Sequence, residues 1–150
     1  MASLTLRRRR GSDDSGAELI ELAIVLPILL LVVAAIMDFG FLFQRYEVVT
    51  NAAREGARLA VLPGYGAPDV QNRVQSYLTA SGLTSTPTVA VTFVPQTVQP
   101  SGLTINTANV TVQYPSQFAF IGPFAAMFGG SGWGTITLQA TSVMRVEGGS

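Results

Sequence analysis

The chain has 150 residues, nine basic and nine acidic, with 48% apolar side chains and only 12% charged ones. That length allows one small domain plus a strongly apolar segment, and so low a charged fraction is unusual for a domain that is soluble throughout. Histidine, cysteine and lysine are absent, which removes a disulfide framework, the usual zinc ligands and the commonest general base, so neither an enzyme nor a cofactor is expected.

The zero net charge is unevenly placed. Arg7–Arg10 precede an apolar run, whereas the region after Gly16 keeps Arg45, Arg54, Arg58, Arg73 and Arg145 against a larger number of acids. That mildly acidic remainder argues against a nucleic-acid partner. Gly16–Pro27 reads GAELIELAIVLP, and the apolar stretch continues through Leu22–Phe43. As a helix, that stretch spans about 33 Å, enough to cross a hydrocarbon core of about 30 Å. A cleaved secretory signal is the competing reading, with Ala34–Ala35 as its exit site. Two features oppose it: Glu18 and Glu21 sit where such a signal is basic or neutral, and the apolar pattern resumes at Phe39. A twin-arginine signal is disfavoured because Gly11–Ser12 follow the arginines where apolar residues are needed. The arginines favour a cytoplasmic amino terminus. Pro27 lacks an amide proton and either bends the helix or leaves a carbonyl unsatisfied, so helix neighbours are useful there.

Two acids stand out. Asp38 lies inside the apolar run, where it is either solvated at the outer interface or in polar contact with a neighbouring helix. Glu21 has another logic. If the chain is cut after Gly16, Ala17 gains an ammonium group and Glu21 becomes the fifth residue, one helical turn further in. Its carboxylate is then placed to pair with that ammonium on an adjacent subunit and to fix the axial register, a contact costly to break when desolvated.

The helical pattern continues unbroken to Leu62. Tyr46, Val49, Ala53, Ala57 and Ala60 recur at steps of three or four and form one stripe. Arg54 and Arg58 share a flank, and Glu55 is three residues before Arg58, suited to a local ion pair worth tenths of a kilocalorie per mole. The same flank is equally open to reading as a contact with other subunits. Pro63-Gly64-Tyr65-Gly66 ends the helix.

Gly-Ala-Glu-Leu-Ile-Glu before a long apolar helix resembles the type III signal of type IV prepilins. The whole stretch is similar to the TadE-like family of minor pilins and pseudopilins of tight-adherence pili. The residues that carry the resemblance are Gly16, Ala17, Glu21, Pro27, the Asp38-Phe39-Gly40 step, and Asn51-Ala52-Ala53-Arg54-Glu55-Gly56-Ala57-Arg58. The match covers about Gly16–Leu62. It departs from the pattern in Asp13 and Asp14, where basic or small residues are more usual. The resemblance implies cleavage after Gly16 by a prepilin peptidase, a membrane aspartyl protease, followed by association with other pilin or pseudopilin subunits and the pilus assembly machinery.

Beyond the long helix, Pro68 and Asp69 open a second helix with Val70, Val74, Tyr77 and Leu78 on one face, closed by Ser81-Gly82. Three alternating stretches follow, around Val89–Phe93, Val110–Tyr114 and Ile136–Val146. Their opposite faces together are rich in threonine, as expected of an antiparallel sheet covered on one side. Between the second and third lies Ser116–Gly134, SQFAFIGPFAAMFGGSGWG. It reads either as a short helix, Pro123–Phe128, capping the core edge, or as an exposed interaction loop.

The expected fold class is therefore α+β: a type IV pilin-like helix, transmembrane in its first half, bearing a small head of one further helix and about three antiparallel strands. The expected division is a leader at 1–16, a long helix at 17–62 with its membrane part at 22–43, and a head at 63–150. The function expected from the resemblance is that of a minor prepilin serving pilus assembly, adhesion or secretion, anchored with its amino terminus inside and later carried in the envelope or an extracellular pilus. The alternative is a single-pass, membrane-anchored extracytoplasmic binding protein with no pilus role.

Overall fold

A computed structural model describes residues 13–98, 100–127, 129 and 134–146. Arg7–Arg10, most of the expected leader, Phe128, Trp133 and Glu147 lie outside the described residues. The elements are α1 (Asp13–Ala60), α2 (Ala67–Ala80), β1 (Thr88–Val98), β2 (Leu103–Gln117), α3 (Ile121–Met127) and β3 (Thr135–Arg145). The long apolar helix, the further helix and the three-stranded antiparallel sheet form the expected α+β arrangement.

α1 runs without a break through Pro27 and has two surroundings. From Leu19 to Met37 its large apolar side chains are exposed, and this is the stretch long and apolar enough to cross a membrane. From Val49 onward the helix packs on the head, with Val49, Ala52, Ala53, Ala57 and Ala60 buried. Tyr46, expected on the packed stripe, is 45% exposed. The face turned to the head instead continues downward from Val49 through Arg45, one full turn back.

α2 is closed at both ends by local chemistry. The Gly66 amide donates to the Asp69 carboxylate at 2.8 Å, and Pro68 sits in the first turn, where its missing N–H is no loss. At the other end Leu83 N–H donates to Leu78 C=O at 2.9 Å and Gly82 N–H to Thr79 C=O at 3.0 Å. Gly82 has φ +82°, the left-handed conformation that this double bond requires. Leu78 and Leu83 are both buried beneath it.

The sheet order is β1-β2-β3, with both pairs antiparallel. Cross-strand partners Val89, Val112 and Ala140 form one row, and Tyr114 and Leu138 another. These side chains face α1 and α2, and burial of Val110, Val112, Tyr114, Leu138 and Ala140 makes the core. The opposite face carries Thr111 against Thr141 at 3.0 Å and Gln113 against Gln139 at 3.2 Å. Phe93 is 55% exposed although its alternation places it on the inner face. β1 and β2 pair as far as Val98 and Leu103, whereas β3 pairs with β2 only up to Thr107. The hairpin thus outruns the rest of the sheet, and Phe93 sits where cover is ending.

β2 descends as α1 ascends. Gly56 lies against Val110, Arg45 against Ser116, and Asp38 against residues 119–121. The end of β2 and the start of α3 are therefore the base of the head, nearest the exposed apolar half of α1.

Candidate functional site

Three places on α1 carry the residues singled out above. The first is the amino-terminal turn. Gly16, Ala17 and Glu21 are all exposed and helical, with Glu21 one turn beyond Ala17. The bond between Gly16 and Ala17 thus lies near the amino-terminal end of α1, where glycine is a weaker helix former than alanine by about 1 kcal/mol.

The second place is Asp38. It is 2% exposed, and it is bonded within its own chain, to the connection that leads into α3. The amides of Ala119 and Ile121 donate to its two oxygens at 2.7 Å each, and the Phe120 amide donates to both at 3.1 Å. These amides lead into α3, so the carboxylate caps that helix from outside and satisfies donors that a first turn leaves unpaired. Two turns up the same face, the Arg45 guanidinium donates to Ser116 Oγ at 2.8 Å and to the Gln117 carbonyl at 2.7 Å. One anion takes amides and one cation takes oxygens. Together they hold the end of β2 and the start of α3 along about 10 Å of α1.

Arg45 was not singled out in the sequence, nor was Ser116. The available signal was the seven-residue spacing from Asp38, which returns to the same side of a helix. A cleft of about 540 Å³ opens beside Arg45, with Phe41, Gln44, Ser85, Tyr114 and Gln117 in its walls. The Ser85 amide donates to the Tyr114 hydroxyl at 3.1 Å across one side of it.

The third place is the segment 51–58, which divides by face. Ala52, Ala53, Gly56 and Ala57 are buried, whereas Asn51, Arg54 and Arg58 are exposed. The small residues let α1 approach α2 and the sheet. A Cβ built on Gly56 would stand 2.7 Å from Val74 Cγ2 and 3.2 Å from Val110 Cγ1, so no larger residue fits without displacement. Glu55 lies between the faces. Arg58 donates to it at 3.1 and 3.2 Å, and Arg73 of α2 at 2.6 and 3.1 Å. These bonds, from Arg58 first and Arg73 next, hold the Glu55 carboxyl below the usual range. The local pair with Arg58 was legible from spacing; the tie to Arg73 was not.

Among the described residues, Phe39 and Gly40 have no such packing partner. Phe39 is 63% exposed, and a Cβ on Gly40 would meet nothing within 4 Å. Among the described residues, no group of three or more acids, histidines or cysteines is arranged to hold a metal.

The exposed apolar half of α1, the capping carboxylate in mid-helix and the small-residue segment above it are joined in one continuous stretch. Residues 16–58 match the family described as TadE-like protein. That stretch is similar to the TadE-like family, over less than half of the chain. No curated protein and no solved structure matches the chain, so the head is described by its own geometry. The TadE-like segment begins at Gly16 and ends at Arg58, taking in all three places on α1.

Proposed function

We propose that this chain is a minor prepilin or pseudopilin of a tight-adherence pilus, shortened after Gly16 by a prepilin peptidase and then assembled with other pilin-like subunits. The observation that carries the reading is the TadE-like match, which starts at Gly16 itself and covers the one described helix apolar enough to cross a membrane. In this reading α1 anchors the precursor with its amino terminus on the cytoplasmic side. The free ammonium of Ala17 pairs with Glu21 of a neighbouring subunit, and the head projects outward to contact the assembly machinery or a surface. The chain is the substrate of catalysis, not its agent.

Intact-mass and amino-terminal peptide analysis of the protein from its native membrane tests this directly. A chain beginning at Ala17 is the expected result. A chain still carrying Arg7–Arg10 in the presence of the matching peptidase overturns it. That second outcome favours an anchored extracytoplasmic binding protein, a reading to which the cleft beside Arg45 lends itself.

A further inference from the structure

Asp38 ties the base of the head to α1 just beyond Met37, where the exposed apolar side chains continue as Phe39, Phe41 and Phe43. The exposed apolar run from Leu19 to Met37 spans about 28 Å as a helix, close to one hydrocarbon thickness, so a bilayer entered at Leu19 ends at Asp38, short of the expected limit at Phe43. If α1 is an anchor, the loop at residues 119–121 lies at the water boundary of the bilayer, because its amides are bonded to Asp38.

From that level up to the cleft beside Arg45, four phenylalanines are exposed, with Gln44, Arg45 and Glu47 marking the polar side of the boundary. Phe39, Phe41 and Phe43 on α1 are 63%, 43% and 64% exposed, and Phe120 at the base of the head is 42% exposed. The described residues from Ser116 to Met127 that form this base include no charged one. The lone carboxylate among them, Asp38, is buried and fully occupied by backbone amides, so it presents no bare charge to lipid, which would otherwise be costly. Such a base has the composition of an interfacial segment, with apolar groups entering the headgroup and acyl boundary.

We propose that the base of the head, Phe120 with the adjoining Phe39, Phe41 and Phe43, is a second membrane contact seated in the interfacial layer of the bilayer. The occupant is lipid rather than another protein because the exposed apolar surface is continuous with the span from Leu19 to Met37. The head therefore stands against the membrane, and extraction of the subunit must release this collar as well as the helix. The proposal rests on the reading of α1 as an anchor.

The test uses the full chain in phosphatidylcholine–phosphatidylglycerol vesicles, with Trp133→Phe as background, since Trp133 is the only tryptophan. Single probes are placed by Phe120→Trp, Phe41→Trp, Ile28→Trp and Val143→Trp, and lipids carry bromine either near the glycerol or deep in the acyl chain. Ile28→Trp should lose emission to deep bromine, whereas Phe120→Trp and Phe41→Trp should lose it to shallow bromine with a blue-shifted maximum. Val143→Trp should lose none. Quenching at position 28 without quenching at 120 and 41 overturns the collar and leaves that surface to a second copy or another protein. Equal quenching at 143 also overturns it, since the whole head would then lie on the bilayer. Absence of quenching at position 28 overturns the anchor reading itself.

Discussion

Asp38 accepts hydrogen bonds from three successive amides, Ala119 to Ile121, while Arg45, two turns further along the same helix face, donates to Ser116 and Gln117. The pair clamps the descending end of β2 to α1 with complementary charge. It sets the height at which the head begins, and so divides α1 into a free half and a packed half.

Replacing Asp38 with Asn should loosen α3 and the connection around it. The amide retains one acceptor but points donors at donors, and hydrogen bonds to a charged group are worth about 1.5–3 kcal/mol each. We expect destabilisation on the order of 3 kcal/mol, read as a lowered midpoint of thermal unfolding in detergent. New protease cuts between residues 118 and 134 should appear before any in α2. An unchanged cleavage pattern would show that the clamp does not hold the base.

Gly56 and Gly40 should behave oppositely. Gly56→Ala forces a methyl toward Val74 and Val110, and overpacking of this kind costs about 1–3 kcal/mol. Gly40→Ala meets open space and should leave stability of the isolated chain within about 0.5 kcal/mol. Equilibrium unfolding of both variants in the same detergent decides the matter. Equal effects would refute the close approach of α1 to α2.

Glu55 predicts a pH dependence of definite sign. Its carboxyl is held below the ordinary value by Arg58 and Arg73, so its contribution to stability is present above the unfolded-state pKa. That contribution is lost as pH falls through the lowered native value. Glu55→Gln should therefore be less stable than wild type at neutral pH, and the gap should close in strongly acidic buffer. The effect is small, since Arg58 and Arg73 are largely exposed and exposed pairs are worth up to about 1 kcal/mol. Parallel thermal scans across pH measure it, and a gap that widens on acidification would contradict the assignment.

Two substitutions examine the proposed processing and assembly. Gly16→Leu should block shortening by a co-expressed prepilin peptidase; a normal-sized product on an immunoblot would refute the cut site. Glu21→Ala should leave membrane insertion intact yet reduce recovery in sheared pilus fractions. Unchanged recovery would remove the register role.

The elements were legible in the sequence because their causes are local. The apolar run after Glu21, the small residues recurring along 49–60, and the alternation at 89–93, 110–114 and 136–146 each express a period set by neighbours within a few positions. The closure of α2 at Ser81-Gly82 was similarly readable. Partners across the fold were not. Asp38 read as a solvated or intermolecular group because the amides that bind it belong to a connection far along the chain. Arg45 was counted only as a charge beyond the apolar run for the same reason, and Tyr46 was assigned to a stripe that turns toward Arg45 instead. Only tertiary structure decides which face of a long helix meets the head and how far down that contact reaches. A helix repeats its faces along its whole length, so periodicity lists the candidate contacts, and the descent of β2 and its loop selects among them.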